Sequence, residues 1–165
     1  MGMVACFAAV PLEVLNRLRA EEESIEEYLY PEDGEGTPPN SIDLDKSWHG
    51  IHYLLTGQVE GGSGPESLAI LGGVEFGPDV GYGPARFLLP AQVSAVAQAL
   101  ASLSPQDLAK RFNPKDMAAK DIYLSPMWER DGQEALDYAL DYYQHLPVFY
   151  RDAAQRGDAV IQWLC

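Results

Sequence analysis

The first and last stretches of the chain both predict β-strands, and this feature constrains the fold more than any other. Residues 2–10 read GMVACFAAV, a near-continuous apolar run of the kind found in strands buried on both faces. Residues 158–164, DAVIQWL, have the aliphatic and aromatic content of a final strand. Both faces of a sheet that contains such strands must be covered by other elements.

Helix signals occupy much of the sequence between these strands. Pro90 suits the first turn of a helix that would run to Leu103. Residues 104–105 (SP) and 113–114 (NP) each place a side-chain cap immediately before a proline, which is a start signal for a helix. These signals predict a succession of short helices in the second half of the chain.

The longest helix is expected from about Arg130 to Gly157, with a kink at Pro147 because proline lacks an amide proton and crowds the preceding turn. A further short strand is expected around Arg86. Together these elements predict an α/β fold, in which residues 1–165 form a single compact layered domain with a small mixed β-sheet covered by several helices.

Two stretches rich in Gly and Pro predict flexible loops between elements of this domain. They are residues 31–40 (PEDGEGTPPN) and residues 58–67 (QVEGGSGPES). A short helix is expected to begin at Pro65 and to continue to Leu71.

The central stretch Ser41–Gly57, SIDLDKSWHGIHYLLTG, contains two of the three histidines of the chain. It predicts a short extended segment, a helix start capped by Asp43 or Asp45, and a helix that stops at Gly57. One face of this helix is apolar, with the spacing i, i+3, i+4, i+7. That face comprises Trp48, Ile51, His52 and Leu55.

Three interpretations of His52 follow from this placement. His49 and His52 could form a metal pair, although neither cysteine nor a third histidine lies nearby in the sequence. His52 could instead be a general base oriented by an aspartate. It could also be a core histidine that is hydrogen-bonded to the backbone. We expect no metal and no cofactor.

Five glycines between residues 72 and 83 suggest a phosphate loop, but their spacing fits neither a Walker motif nor a dinucleotide fingerprint. We expect this segment to position Tyr82 and Arg86 instead. Arg86 could bind a carboxylate or phosphate group of a ligand, or it could form an ion pair with one of the many acidic residues of the chain. The expected ligand site comprises Trp48, His52, Tyr82 and Arg86.

The net charge of −14 argues against nucleic acid and anionic membranes as partners, since both require a basic surface. It permits a basic protein as a partner. The two cysteines, Cys6 and Cys165, do not suggest a disulfide framework. No basic segment precedes the first apolar run, so we expect a cytoplasmic protein with free thiols.

Several motifs resemble the YfbM-like family of small bacterial proteins, a family of unknown function. They are MGMVACFA, LDKSWHGIHYLLTG, GYGPARFLLPAQV, DIYLSPMWERDG and AVIQWL, which together span nearly the whole chain. The resemblance implies a compact single domain with a mixed sheet covered by helices, and it implies no reaction. The resemblance matches the central pattern of the family at Trp48, His52, Leu55, Thr56 and Gly57, whereas His49 does not belong to that pattern.

Two classes of function are consistent with these observations. The first is a soluble binding or interaction module, such as an immunity-like partner of a basic protein. The alternative is a small-molecule enzyme or sensor, with an anionic ligand held by His52 and Arg86. The sequence contains no serine or cysteine nucleophile motif, so it favours binding over catalysis.

Overall fold

The computed structural model describes residues 2–32 and 36–165, and a five-stranded sheet in the order β2-β1-β5-β4-β3 lies at its centre. The strands are β1 (Ala5–Val10), β2 (Ser41–Asp43), β3 (Val74–Asp79), β4 (Pro84–Leu88) and β5 (Ala159–Leu164). The predicted α/β layered fold is confirmed. Every adjacent pair of strands is antiparallel, where a mixed sheet was expected.

The predicted first and last strands, β1 and β5, pair along their full lengths in the interior of the sheet. Successive side chains of β1 point to opposite faces, because a strand has a two-residue repeat. Phe7 and Ala9 therefore pack into one hydrophobic core, and Ala8 and Val10 pack into another. The continuous apolar run at residues 2–10 reflects burial on both faces.

Helices cover both faces of the sheet, but more helices pack on one face than on the other. The helices are α1 (Leu12–Ala20), α2 (Ile25–Leu29), α3 (Trp48–Thr56), α4 (Pro90–Ala101), α5 (Pro105–Ala109), α6 (Pro114–Ala119), α7 (Met127–Asp131), α8 (Gln133–Tyr143) and α9 (His145–Arg156). Residues of α1 and α2 pack on one face, and residues of the other helices pack on the opposite face. Within the described residues, no helix has both the length and the apolar character needed to cross a membrane.

The caps of the short helices agree with the sequence prediction. The Ser104 hydroxyl accepts a hydrogen bond from the Asp107 amide at the start of α5, and Asp107 accepts one from the Ser104 amide in return. At the start of α6, the Asn113 side chain accepts a hydrogen bond from the Asp116 amide. Each cap satisfies a backbone group that would otherwise lack a partner.

The long helix predicted near the end of the chain is instead two helices. α8 ends at Tyr143 and α9 begins at His145, so the helix is interrupted at Gln144, before Pro147, and is not kinked at Pro147. Pro147 lies in the first turn of α9, where the missing amide proton costs nothing because that amide has no partner within the helix.

The segment between Gly72 and Gly83 contains a strand that the sequence did not predict. Gly77 and Pro78 make the segment resemble a loop, yet they lie within β3. Gly77 has φ +74°, and the register with β4 shifts between Phe76 and Asp79. This irregularity is a β-bulge, which glycine accommodates without strain. Of the loop predicted at residues 31–40, residues 33–35 lie outside the described part of the chain.

Candidate functional site

Helix α3 supplies the side chains at the centre of the candidate site. The predicted apolar face is buried, and the predicted stop at Gly57 is confirmed by its left-handed conformation, with φ +71°. The predicted acidic cap differs from the structure. The carboxylate of Asp43 accepts a hydrogen bond from the Asp45 amide, at the start of a 3-10 turn over residues 45–47 that precedes α3.

Trp48 is held in place by one hydrogen bond and by two stacked rings. Its exposed fraction is 8%, and its indole Nε1 donates a hydrogen bond of 3.0 Å to the Met3 carbonyl. The ring stacks on His49 and Tyr123 at centroid distances of 5.0 and 5.6 Å. Trp48 therefore joins α3 to the segment before β1 and to the segment before α7.

His49 has both ring nitrogens engaged. Nδ1 accepts a hydrogen bond of 2.8 Å from the Tyr123 amide, so the ring proton lies on Nε2 and is donated to the Val59 carbonyl at 2.9 Å. Burial lowers the pKa of His49, which favours the neutral ring over the protonated one. With both nitrogens occupied, His49 has no lone pair available for a metal ion.

His52 donates from Nε2 to the Gly61 carbonyl at 3.0 Å, and burial lowers its pKa as well. The two histidines thus hold the 58–64 loop at the carbonyls of Val59 and Gly61. The sequence predicted a flexible loop here, and the structure shows one that is anchored to α3 at two points. Within residues 2–32 and 36–165, no carboxylate is hydrogen-bonded to His52, so the pattern of an aspartate-oriented base is not formed.

Arg86 lies on β4, opposite Glu75 on β3 and opposite Gln162 on β5. Its Nη2 donates to the Glu75 carboxylate at 2.7 Å, and its Nη1 donates to the Gly73 carbonyl at 3.2 Å. The side chain remains 33% exposed. The expected pairing of Arg86 with an acidic residue is therefore present, and part of the guanidinium remains accessible.

A cavity of about 520 Å³ brings three of the four predicted site residues together. Trp48, His52 and Arg86 all line it. The other lining residues are mainly apolar side chains and glycines: His49, Val59, Glu60, Gly61, Gly62, Ser67, Leu68, Ile70, Leu71, Gly72 and Leu164. The volume is within the range of cavities that hold small organic molecules.

Tyr82 does not line this cavity. It lies in the turn between β3 and β4, and its side chain is 45% exposed. The expectation that one glycine-rich loop positions both Tyr82 and Arg86 is therefore wrong. The glycines before β3 (Gly72 and Gly73) and those after it (Gly81 and Gly83) belong to separate loops. Arg86 is positioned by the pairing of β4 with β3 and β5.

Gln162 supports one wall of the cavity, and sequence reasoning missed it. It is fully buried on β5, where its Oε1 accepts a hydrogen bond from the Gly73 amide and its Nε2 donates to the Leu68 carbonyl and the Tyr150 hydroxyl. The Tyr150 hydroxyl in turn donates to the Ala69 carbonyl. A glutamine inside the apolar run VIQWL was the available signal, since a buried polar side chain requires partners.

These bonds fix the path of residues 65–73, which form one wall of the cavity. The helix predicted from Pro65 to Leu71 is only a 3-10 turn, Pro65–Leu68. Beyond this turn, the backbone bonds to the side chains of Gln162 and Tyr150, so a side-chain network replaces part of the regular helical pattern.

Residues 1–163 match the model of the family described as Domain of unknown function (DUF1877), and the chain belongs to this family. Its fold is similar to the crystal structure of YfbM, a protein of unknown function from Escherichia coli. The TM-score is 0.72 at 25% sequence identity, and the alignment covers 98% of this chain and 99% of that one. No curated protein matches the chain. These comparisons show the family and the fold, and they assign no activity.

Proposed function

We propose that this protein binds a small organic anion with an apolar body in the cavity beside α3. The observation that carries this proposal is that Trp48, His52 and Arg86 line a single cavity of about 520 Å³. Apolar side chains and an indole ring are typical of sites that bury most of a small ligand, and a few polar groups orient it. The proposal concerns binding and assigns no reaction.

Arg86 is the anchor for the anionic group. A guanidinium has five N–H donors, and Arg86 uses one on Glu75 and one on Gly73. Among the described residues, its remaining donors have no protein acceptor. A carboxylate in the cavity can accept from these donors without displacing Glu75, and such charge-assisted bonds are stronger than neutral ones.

His52 and Glu60 restrict the ligand further. His52 in its neutral form donates from Nε2 to the Gly61 carbonyl, which leaves Nδ1 as an acceptor for a ligand hydroxyl; the same hydroxyl oxygen can accept a hydrogen bond when Nδ1 is protonated. Glu60 also lines the cavity and repels a second negative charge. We therefore expect a ligand with one negative group, an apolar body and a hydroxyl group.

Two matched fluorescent probes test the anchor. 8-Anilinonaphthalene-1-sulfonate carries a sulfonate on an apolar body, and N-phenyl-1-naphthylamine has the same rings without the charge. Arg86→Gln should weaken binding of the sulfonate about tenfold, which is the low end for a charge-assisted hydrogen bond, because Arg86 is partly exposed. The affinity for the neutral probe should not change.

Arg130→Gln is the matched control, because Arg130 is exposed and pairs with Asp131 away from the cavity. Equal affinity of the sulfonate for the wild-type protein and the Arg86→Gln variant would contradict the role of Arg86. An equal loss of affinity for both probes would indicate a structural effect of the substitution and would likewise count against a charge anchor.

A basic protein partner is a second candidate, favoured by the acidic surface of α1 and α2. Glutamates along this segment are exposed: Glu13, Glu21, Glu22, Glu23, Glu26 and Glu27. Binding of a lysine-rich test peptide at 0.15 M salt should be lost in the Glu22→Gln/Glu26→Gln variant if this surface is a docking site. Equal affinities for the variant and the wild-type protein would exclude this surface.

A further inference from the structure

Cys6 and Cys165 lie side by side on the face of the sheet that α1 and α2 cover. Cys6 is opposite Trp163 in the pairing of β1 with β5, and Val4 and Cys165 exchange two backbone hydrogen bonds of 2.8 and 2.9 Å. The two cysteines are therefore diagonal neighbours on adjacent strands. Their Sγ atoms are 3.0 Å apart, and both residues are half-buried.

We propose that Cys6 and Cys165 are a modification site at which small-molecule disulfides oxidise the two thiols to a reversible intramolecular disulfide. A disulfide bond is about 2.0 Å long, so the sulfurs need to approach each other by only about 1 Å. Partial exposure of both residues gives the oxidant access.

The oxidation proceeds by two thiol–disulfide exchanges with a disulfide of the glutathione type. The Cys165 thiolate attacks one sulfur of the oxidant, which breaks the S–S bond, forms a mixed disulfide and releases one small thiolate. Cys6 then attacks the Cys165 sulfur of the mixed disulfide and releases the second small thiolate. The two protons end on the released thiols, and two electrons pass from the protein to the oxidant.

The environment of Cys6 sets this order. Burial raises the pKa of the Cys6 thiol, and the neighbouring Cys165 raises it further. A thiol attacks as the thiolate, so the raised pKa disfavours Cys6 as the first nucleophile. Once Cys165 carries the mixed disulfide, the proximity of the two sulfurs favours attack by Cys6 over attack by a second glutathione.

This site is independent of the ligand cavity. Cys6 and Cys165 pack against the core formed with α1 and α2, whereas Leu164 lines the cavity on the other face of the sheet. A bridge would join β1 to the end of β5 and close a very long loop. Restricting the unfolded chain in this way should raise the melting temperature by on the order of 10 °C.

The experiment equilibrates the reduced, folded wild-type protein with oxidised and reduced glutathione, quenches it with acid, alkylates it with N-ethylmaleimide and measures the intact mass. The expected product has lost two hydrogens, carries no maleimide and melts at a higher temperature. Cys6→Ser and Cys165→Ser should each retain one thiol that takes up glutathione or maleimide.

Three results would overturn the proposal: two maleimide adducts after equilibration with the oxidant, two bound glutathiones, or a bridge that forms only in urea. Because the main measurement uses the wild-type chain, a folding defect in a serine variant cannot obscure the outcome. Binding of the fluorescent probes in the cavity is measured separately, so the two proposals fail independently.

Discussion

Replacing Gln162 with leucine tests whether the buried polar network supports the wall of the cavity. Leucine is apolar and of similar size, so Gln162→Leu removes the hydrogen bonds while largely conserving the packed volume. The variant loses the bonds to the Gly73 amide, the Leu68 carbonyl and the Tyr150 hydroxyl, which measure 3.0, 2.7 and 3.1 Å.

The expected cost follows from the groups that are left without partners. The Tyr150 hydroxyl keeps its bond to the Ala69 carbonyl, so it contributes little. Gly73 is buried, and an unpaired buried amide costs about 1–3 kcal/mol. The Leu68 carbonyl is only partly buried and can recover a hydrogen bond from water, so it adds less. We expect a total loss of about 3 kcal/mol in the free energy of unfolding.

Urea unfolding monitored by tryptophan fluorescence measures this loss. Gln98→Leu is the matched control, since Gln98 is exposed on α4 and the same substitution there should change stability by less than about 0.5 kcal/mol. A Gln162→Leu variant as stable as the control would show that the network contributes nothing to stability and would refute the reasoning.

Two further predictions concern the side chains of α3. Trp48→Ala should destabilise the protein by about 3–5 kcal/mol in the same assay. Trp48→Phe should cost less, because phenylalanine keeps part of the packing. A loss below about 1 kcal/mol for Trp48→Ala would show that Trp48 is not a core residue. Burial lowers the pKa values of His49 and His52 below their ordinary value of 6.5, so the unfolded chain binds more protons than the folded one as the pH falls through 6.5. Stability should therefore be full above about pH 7 and decline below 6.5, and the His49→Gln/His52→Gln variant should lose this decline. An unchanged pH profile in that variant would assign the decline to other groups.

The parts of the fold that could be predicted from the sequence depend on local chemistry. Ser104 and Asn113 cap their helices through bonds to residues three positions away. Gly57 and Gly157 end α3 and α9 in left-handed conformations, which glycine adopts without strain. Each of these signals acts within one turn of the chain, so a short stretch of sequence is sufficient to recognise it.

The parts that could not be predicted depend on contacts between distant residues. β3 contains Gly77 and Pro78, which are typical of loops, and pairing with β4 makes it a strand despite them. The anchoring of the 58–64 loop depends on His49 and His52, whose ring nitrogens donate to carbonyls ten and nine residues away, respectively. The glycine content of this loop predicts flexibility. It carries no information about hydrogen bonds to side chains outside the loop, so the anchoring could not be predicted from composition.

The two histidines also differ in how each can respond to a bound anion. His49 accepts a hydrogen bond at Nδ1 from the Tyr123 amide. Protonation of Nδ1 would break this bond, because the Nδ1–H and the Tyr123 N–H would point at each other. His52 donates from Nε2, so protonation at Nδ1 adds a donor and leaves the bond to Gly61 intact. An anion beside His52 raises its pKa and offsets the cost of burying the charge. His52 is therefore the histidine that can gain a proton when a ligand binds, and affinity for an anionic ligand should increase as the pH falls until protonation of His49 loosens the loop.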